Sequence, residues 1–378
     1  MIIPSTLSET MPIEIECNGF TGSLSTLNGR KRLQCSKWKL FLAALTCGYD
    51  GFFKNFGPDW RRRVIHIVGN VLPFLDTRPG GALALSSYYF DVDNSESKHA
   101  AYYIGQGFTK LFACQVLNAS QVVHASRSVW QPAVGTALKA PLLTVGRREA
   151  DLFAFGPGGI HVLESKGRSV RNGAGRLTAS TLNSAINDAM AQVSAINTVN
   201  GLAPTSRSGC VWTLCTSGIR GDIQDPPGTG WDATVAPAEI LRSNYALFLE
   251  ADQSRFRNDL IEGYSLIELP GSENSGLYVG IFTEILRAAS NGQVAIETVM
   301  SMASSQLTRI SRTPAIEYLE DGTLIFGSGR RDLFTEEQLP PEATDMENVV
   351  QQQLKEKFSW QTALTADEER ETVKIYLT

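Results

Sequence analysis

Two acids and a lysine near the middle of the chain have a spacing that could build a site for phosphoryl transfer. Twelve residues separate Asp151 from Glu164, and Lys166 stands two positions after Glu164. Two carboxylates held close together repel one another unless one is protonated or a cation lies between them. Hard oxygen ligands favour Mg²⁺ or Mn²⁺ over zinc. Such an ion would activate water and offset charge on phosphorus, while Lys166 assists the attack of that water.

A turn rich in glycine explains how these side chains could meet. Residues 156–159 read Gly-Pro-Gly-Gly and lie between strand-like runs at 151–155 and 160–166. A four-residue loop is a common connection between antiparallel strands, and here it would pair Phe155 with Ile160. In that register the two acids occupy directly opposed positions of a β-hairpin.

Opposed positions on a hairpin share a face. Their Cβ atoms lie about 5 Å apart, so we expect Asp151 and Glu164 to meet. Because side chains alternate along a strand, Lys166 points to the same face as Glu164. The backbone carbonyl of Ser165, at the same strand end, is a further candidate metal ligand. A structural hairpin with a surface Glu–Lys pair is the alternative, and we assign a second Glu-x-Lys, at 96–98, to chance.

Apolar periodicity predicts a helix on each side of the hairpin. One apolar stripe at helical spacing runs through residues 98–118, and a second runs through 178–199. Residues 167–176 are rich in glycine and arginine and are expected to form a loop. Residues 210–215 are typical of a buried strand. The order helix, hairpin, helix, strand indicates an α/β fold.

The segments 149–151 and 161–168, Glu-Ala-Asp and His-Val-Leu-Glu-Ser-Lys-Gly-Arg, resemble the PD-(D/E)XK, or restriction-endonuclease-like, nuclease superfamily. The resemblance implies a restriction-endonuclease-like core, a mixed sheet flanked by helices, which carries N- and C-terminal additions in this chain. It also implies that Asp151 and Glu164 bind magnesium and that Lys166 activates water.

A few positions depart from the superfamily's pattern or extend it. Ala150 stands where a proline usually precedes the aspartate, a change that affects only the local backbone. Residues 99–118 contain no acid, and Gln106 and Gln115 are the nearest substitutes for the glutamate that many members carry on the first helix. The resemblance therefore implies a first metal site, whereas a second site would lack its usual acid in this chain. Gln192, beside the apolar stripe of the second helix, is a candidate for the glutamine that reaches the site in some members, and an ordinary position on the flank of a helix is the alternative.

Positive charge is concentrated around these acids in the sequence. The whole chain has a formal charge of −5, whereas a protein that holds nucleic acid by bulk charge is usually basic. Residues 139–176 nevertheless contain seven lysines and arginines against three acids. A local excess of positive charge is typical of a protein that binds a polyanion at one site, and a solvated charged loop is the alternative. The candidates for contacts with substrate phosphates are Arg148, Arg168, Arg171 and Arg176.

Length and composition indicate a globular protein with several regions. The chain has 378 residues, of which 43% are hydrophobic and 19% are charged, so it can bury a sizeable core. We divide it into an N-terminal region of unknown role, 1–95, the nuclease-like core, 96–220, and a C-terminal α/β region of unknown role, 221–378. The six cysteines form no CxxC pair, and no secretion signal or membrane segment is visible. A cytoplasmic protein is therefore expected.

These patterns favour a Mg²⁺-dependent nuclease that hydrolyses phosphodiester bonds of DNA, with RNA not excluded and homo-oligomerisation left open. The second hypothesis is a catalytically idle restriction-like domain that binds nucleic acid or protein. The third is a retaining glycoside hydrolase, which also uses two carboxylates about 5 Å apart, although the lysine and the arginines suit phosphate better than sugar. His161 faces the opposite side of its strand from Glu164 and is predicted to be a packed core residue.

Overall fold

A seven-stranded mixed sheet organises the structure, a computed structural model of the chain. The structure describes residues 10–47, 60–78, 82–125, 150–170, 175–228, 230–233, 237–269, 276–291, 301 and 316–327. All of them belong to one compact unit, residues 3–329.

The central sheet places the first two described strands of the chain beside strands that follow almost two hundred residues later. In spatial order its strands are β2 (Gly29–Cys35), β1 (Met11–Asn18), β10 (Gly218–Gln224), β9 (Ser206–Cys215), β7 (Gly159–Ser169), β6 (Leu152–Gly156) and β5 (Gln121–His124). β1 pairs with β10, and β7 with β9, in parallel, whereas the other neighbours are antiparallel. Strands of the predicted N-terminal region and of the predicted core therefore share one sheet, and the α/β class is confirmed.

Helices and smaller sheets surround the central sheet. The helices are α1 (Lys37–Leu45), α2 (Trp60–Val71), α3 (Asn94–Gln115), α4 (Ala179–Val193), α5 (Pro237–Asn244), α6 (Ala246–Leu249) and α7 (Thr283–Asn291). A four-stranded antiparallel sheet has the order β12 (Tyr264–Glu268), β13 (Leu277–Phe282), β15 (Thr323–Gly327) and β14 (Ile316–Tyr318). Two further pairs are β3 (Leu75–Thr77) with β4 (Leu83–Leu85) and β8 (Ile196–Val199) with β11 (Trp231–Ala233). Within the described ranges, no helix combines the length and the apolar character needed to cross a bilayer.

α3 and α4 cover opposite faces of the central sheet. Side chains alternate along β9, so this one strand contacts both helices. Trp212 points towards α3, where its ring stacks on Phe108 with the ring centroids 5.0 Å apart. Gly209, three positions earlier, faces α4, and a Cβ built there would lie 3.1 Å from the Cβ of Ala189. The centre of the molecule is thus a sheet between two helical layers.

α3 begins earlier than the sequence predicted. The apolar stripe indicated a helix over 98–118, whereas the helix spans Asn94–Gln115. The side chain of Asp93 caps it by accepting hydrogen bonds from the backbone N–H groups of Ser95 and Glu96. This cap satisfies donors that the first turn of any helix leaves unpaired, so the polar residues before the apolar stripe become helical.

Two other predicted boundaries were wrong. β7 extends three residues into the predicted loop, to Ser169, because its ladder with β9 continues that far. The second predicted helix, 178–199, ends at Val193, and the chain then forms β8. β8 pairs with β11, a distant partner that local periodicity cannot reveal.

Candidate active site

The hairpin formed by β6 and β7 has the predicted register. Phe155 pairs with Ile160, and the last pair of the ladder is Leu152 with Leu163. One additional pair of glycines shortens the predicted four-residue loop to two residues without changing the register. The next opposed positions beyond the ladder hold the two acids.

Glu164 is fully buried, and both of its carboxylate oxygens have partners. Oε2 accepts a hydrogen bond of 2.9 Å from the backbone N–H of Asp151, and Oε1 is paired with the ammonium of Lys166. Burial, followed by the charge of Asp151, raises the pKa of Glu164 to about 8, against the opposing effect of Lys166. One ammonium therefore does not fully compensate the two neighbouring carboxylates.

Asp151 lies one residue before β6, with its carboxylate against the backbone of β7. Its Oδ2 accepts a hydrogen bond of 3.2 Å from the backbone N–H of Ser165. Burial raises the pKa of Asp151, and the charges of His124 and Lys166 act in the opposite direction. Both acids of the hairpin thus have raised pKa values, a property that is common at functional sites.

The chemistry of these donors fits a divalent cation. Carboxylate and carbonyl oxygens are the ligands that Mg²⁺ and Mn²⁺ prefer, and Asp151, Glu164 and Ser165 supply them. A carboxylate oxygen can accept more than one contact, so the hydrogen bonds described above do not saturate it. Among the described residues, no group of three or more histidines, cysteines, aspartates or glutamates is arranged to hold a metal. An ion here would therefore complete its shell with water and substrate oxygens, as Mg²⁺ commonly does.

A cavity of about 560 Å³ opens beside these residues, between α3 and β7. Asp151 and residues 165–169 line it on the strand side. On the other side it is lined by Tyr89, Asn94, Ser97, Lys98, Ala101 and Tyr102. Glu164 is not part of this lining, but two residues that contact it, Asp151 and Lys166, face the cavity.

Two glycines allow α3 to lie directly against β7 next to this cavity. A Cβ at Gly167 would lie 2.1 Å from the carbonyl oxygen of Ala101, and one at Gly105 would lie 3.1 Å from Oγ of Ser165. Because 2.1 Å is far inside van der Waals contact, only glycine fits at position 167. The residue that follows Lys166 thus sets the distance between the two walls.

A histidine on the neighbouring strand lies beside Asp151. His124 ends β5, and its Nε2 is 2.8 Å from Oη of Tyr102 and 3.2 Å from Nε2 of Gln106. Gln106, considered above as a substitute for an acid on the first helix, therefore contacts His124. Because Tyr102 lines the cavity, this cluster connects α3 to the acidic hairpin.

The predicted phosphate-binding arginines lie in different places. Arg168 lines the cavity. Arg176 is exposed and is not part of that lining. Its charge acts on Asp222 of β10, whose pKa is raised by burial and lowered by the charges of Arg220 and, more weakly, Arg176. Arg148 and Arg171 lie outside the described residues.

Two further predictions concern α4 and β7. The side chain of Gln192 donates a hydrogen bond of 3.3 Å to the carbonyl of Asp188 on its own helix and is not among the described residues that line the cavity. His161 is fully buried, with Nδ1 2.9 Å from Oγ of Ser206, so its assignment to the core is confirmed. Burial lowers the pKa of His161 to about 4.

Sequence reasoning did not single out Lys98, Tyr102 or His124. Lys98 belongs to the Glu-x-Lys that we assigned to chance, yet it lines the same cavity as Lys166. Its spacing of four residues from Tyr102 places both on one face of the helix that was already predicted over 98–118, but only the packing of α3 on β7 shows that this face borders the cavity. The position of His124 depends on the pairing of β5 with β6, which no local pattern encodes.

Comparison of the chain with protein-family models, with curated proteins and with solved structures gives no match. A function for this site must therefore be argued from its own geometry and chemistry.

Proposed function

We propose that the protein is a divalent-metal-dependent phosphodiesterase with a restriction-endonuclease-like core that hydrolyses DNA. The observation that carries this proposal is the assembly of Asp151, Glu164 and Lys166 at one end of the hairpin, beside a cavity. Two acids with raised pKa values and one ammonium form a set of groups that attracts a cation and a phosphate together.

Asp151, Glu164 and the backbone carbonyl of Ser165 hold the cation in this proposal. Mg²⁺ or Mn²⁺ held by these groups would supply polarisation of a phosphoryl oxygen and activation of water at neutral pH. The two acids are fixed by backbone N–H groups, so they need little rearrangement when substrate binds.

Lys166 contacts the attacking water and the phosphate in this proposal. Its side chain is 21% exposed, is paired with Glu164 and lines the cavity. Hydrolysis forms a bond between the water oxygen and phosphorus, breaks the bond from phosphorus to the leaving oxygen, and places the hydrogen of water on that oxygen. The ammonium orients the water and offsets the negative charge that develops on the phosphoryl group.

A binding module without catalysis is the second candidate, and one observation favours it. Glu164 has no exposed surface and both of its oxygens are engaged, as in a purely structural ion pair. Such a domain would bind nucleic acid through the cations of the cavity wall and would leave the phosphodiester bond intact.

A cleavage assay separates these two functions. The purified full chain is incubated with supercoiled plasmid or with a labelled single-stranded oligonucleotide, in Mg²⁺, in Mn²⁺ or in EDTA. We expect divalent-dependent cleavage by the wild type and a loss of ~100-fold or more in Glu164→Gln and in Lys166→Ala. Glu317→Gln is the matched control, because Glu317 is also buried but lies on β14.

The outcomes of this assay discriminate clearly. Wild-type rates in Glu164→Gln and Lys166→Ala would show that the hairpin is not the catalytic centre. Nucleic-acid binding by a folded wild type, without cleavage in either metal, would favour the binding module.

A further inference from the structure

The walls of the cavity carry more positive charge than the acids of the hairpin can neutralise. Lys98 faces it from α3, and Lys166 and Arg168 face it from β7, whereas Asp151 is the one acid among the described residues that line it. Lys166 is paired with the buried Glu164, so of these three described cations Lys98 and Arg168 are left for a ligand. A polyanion satisfies such a pair of opposed cations better than a neutral molecule does.

The size of the cavity limits what can enter it. Its volume is about 560 Å³. Pockets of about 300–1,000 Å³ enclose single small-molecule ligands, which is the scale of one or two nucleotides. α3 and β7 lie in direct contact at Ala101 and Gly167, and these two residues are part of the cavity lining.

An aromatic side chain lies on the same wall as Lys98. Tyr102 lines the cavity, and its hydroxyl is held 2.8 Å from Nε2 of His124. Its ring also packs edge-on against Tyr103, with centroids 5.2 Å apart, so its orientation is fixed from two sides. Aromatic rings between cations are the usual means by which proteins bind unpaired nucleotides, since a base stacks on the ring while phosphates meet the cations.

We propose that this cavity binds one unpaired nucleic-acid strand, with backbone phosphates on Lys98 and Arg168 and a base against Tyr102. The inference deepens the proposed function and rests on it for the identity of the ligand as nucleic acid. A duplex would have to fray, or to present a single-stranded end, before its backbone reached Asp151 and Lys166.

Binding in EDTA tests this inference without chemistry. Affinities of the full chain for a fluorescein-labelled 12-nucleotide single strand and for the corresponding duplex are measured by anisotropy at several salt concentrations. We expect the single strand to bind at least ~10-fold more tightly than the duplex. Lys98→Ala and Arg168→Ala should each reduce the slope of log affinity against log salt by about 0.7, because each removes one phosphate contact. Arg32→Ala, an exposed arginine on the edge strand β2, should leave the slope unchanged.

The aromatic contact is tested separately. Tyr102→Leu should weaken single-strand binding ~5-fold or more, whereas Tyr102→Phe, which keeps the ring and its packing against Tyr103, should bind within about twofold of the wild type. Circular dichroism melts of each variant establish that it is folded.

Failure of this inference can be told apart from failure of the proposed function. Single-strand binding with the expected variant effects, but without cleavage in Mg²⁺ or Mn²⁺, supports the inference and contradicts the proposed phosphodiesterase activity. Equal or tighter binding of the duplex, or a Lys98→Ala slope equal to that of Arg32→Ala, overturns the inference even if the protein cleaves DNA.

Discussion

Asp151 and Glu164 are joined through a backbone group, because the N–H of Asp151 donates to Oε2 of Glu164 at 2.9 Å. The carboxylate of Asp151 in turn accepts from the N–H of Ser165 at 3.2 Å. These two contacts continue the hairpin beyond its last ladder pair. Since both acids are tied to the backbone, they stay close although their charges repel, and burial raises the pKa of each.

Divalent cations are expected to stabilise the folded protein by relieving this repulsion. An ion that binds only the folded state adds about 1.4 kcal/mol to the free energy of unfolding at ten times its Kd. We expect the melting temperature of the wild type to rise with Mn²⁺ or Mg²⁺, and that of an Asp151→Asn/Glu164→Gln variant to stay constant. Scanning calorimetry in the metal and in EDTA measures the difference.

The control for this measurement is Glu317→Gln, which removes a buried acid of β14 and keeps the hairpin intact. It should respond to the metal as the wild type does. An equal rise in the double hairpin variant would place the ion elsewhere on the molecule.

Gly167→Ala is expected to destabilise the protein and to disturb the site. Its Cβ would lie 2.1 Å from the carbonyl oxygen of Ala101, so α3 or β7 must move. Overpacking of this kind costs about 1–3 kcal/mol, and a backbone neighbour gives way less readily than a side chain. Urea denaturation measures the loss.

A second glycine provides the matched comparison. Gly69 lies in α2, and a Cβ there would meet nothing within 4 Å. Gly69→Ala should therefore gain up to about 1 kcal/mol from helix propensity. If Gly167→Ala proved as stable as Gly69→Ala, the close contact of helix and strand would be refuted.

The parts of the site that could be predicted from sequence are those that local chemistry determines. A glycine-rich turn between two short strands fixes the hairpin register, so the opposition of Asp151 and Glu164 followed from counting residues. The capping residue Asp93 was also readable in principle, since an N-cap followed by Glu96 is a helix-start signal. Apolar periodicity alone outweighed that signal and placed the start of α3 too late.

The parts that could not be predicted depend on pairing between distant segments. His124 reaches Asp151 only because β5 pairs with β6, and Lys98 reaches the cavity only because α3 packs on β7. The extension of β7 to Ser169 likewise depends on β9. Tertiary partners of this kind override the local preference of a sequence rich in glycine and arginine.

Stability is expected to depend strongly on a buried ion pair between α3 and the turn that precedes β15 of the four-stranded sheet. Nζ of Lys110 lies 2.6 Å from Oδ2 of Asp321 and 2.7 Å from the carbonyl oxygen of Thr46, and neither charged side chain is exposed. Lys110→Met leaves the carboxylate buried without its counter-ion, which typically costs about 3–5 kcal/mol. Denaturant unfolding should show this loss.

Removing both charges provides the control. Lys110→Met/Asp321→Leu leaves no buried ion, so it should be more stable than Lys110→Met alone. If the double variant lost as much stability as the sum of its two single variants, packing rather than charge would explain the effect.

His161 is expected to make the protein less stable in acid. Its pKa is lowered from 6.5 to about 4 because burial disfavours the imidazolium. Between these two values the unfolded chain binds a proton that the folded protein does not, so the free energy of unfolding falls as the pH falls. A shift of this size corresponds to about 3 kcal/mol, fully present above pH 6.5 and lost on the way to pH 4.

Other carboxylates titrate in the same range, so the contribution of His161 must be obtained as a difference between variants. His161→Gln removes the titrating ring and keeps a polar group near Ser206, and its unfolding free energy should change less than that of the wild type between pH 7 and pH 4. His99→Gln, at an exposed position of α3, is the matched histidine control. Parallel curves for the wild type and His161→Gln would mean that the buried ring does not resist protonation, and the acid sensitivity would then belong to the carboxylates alone.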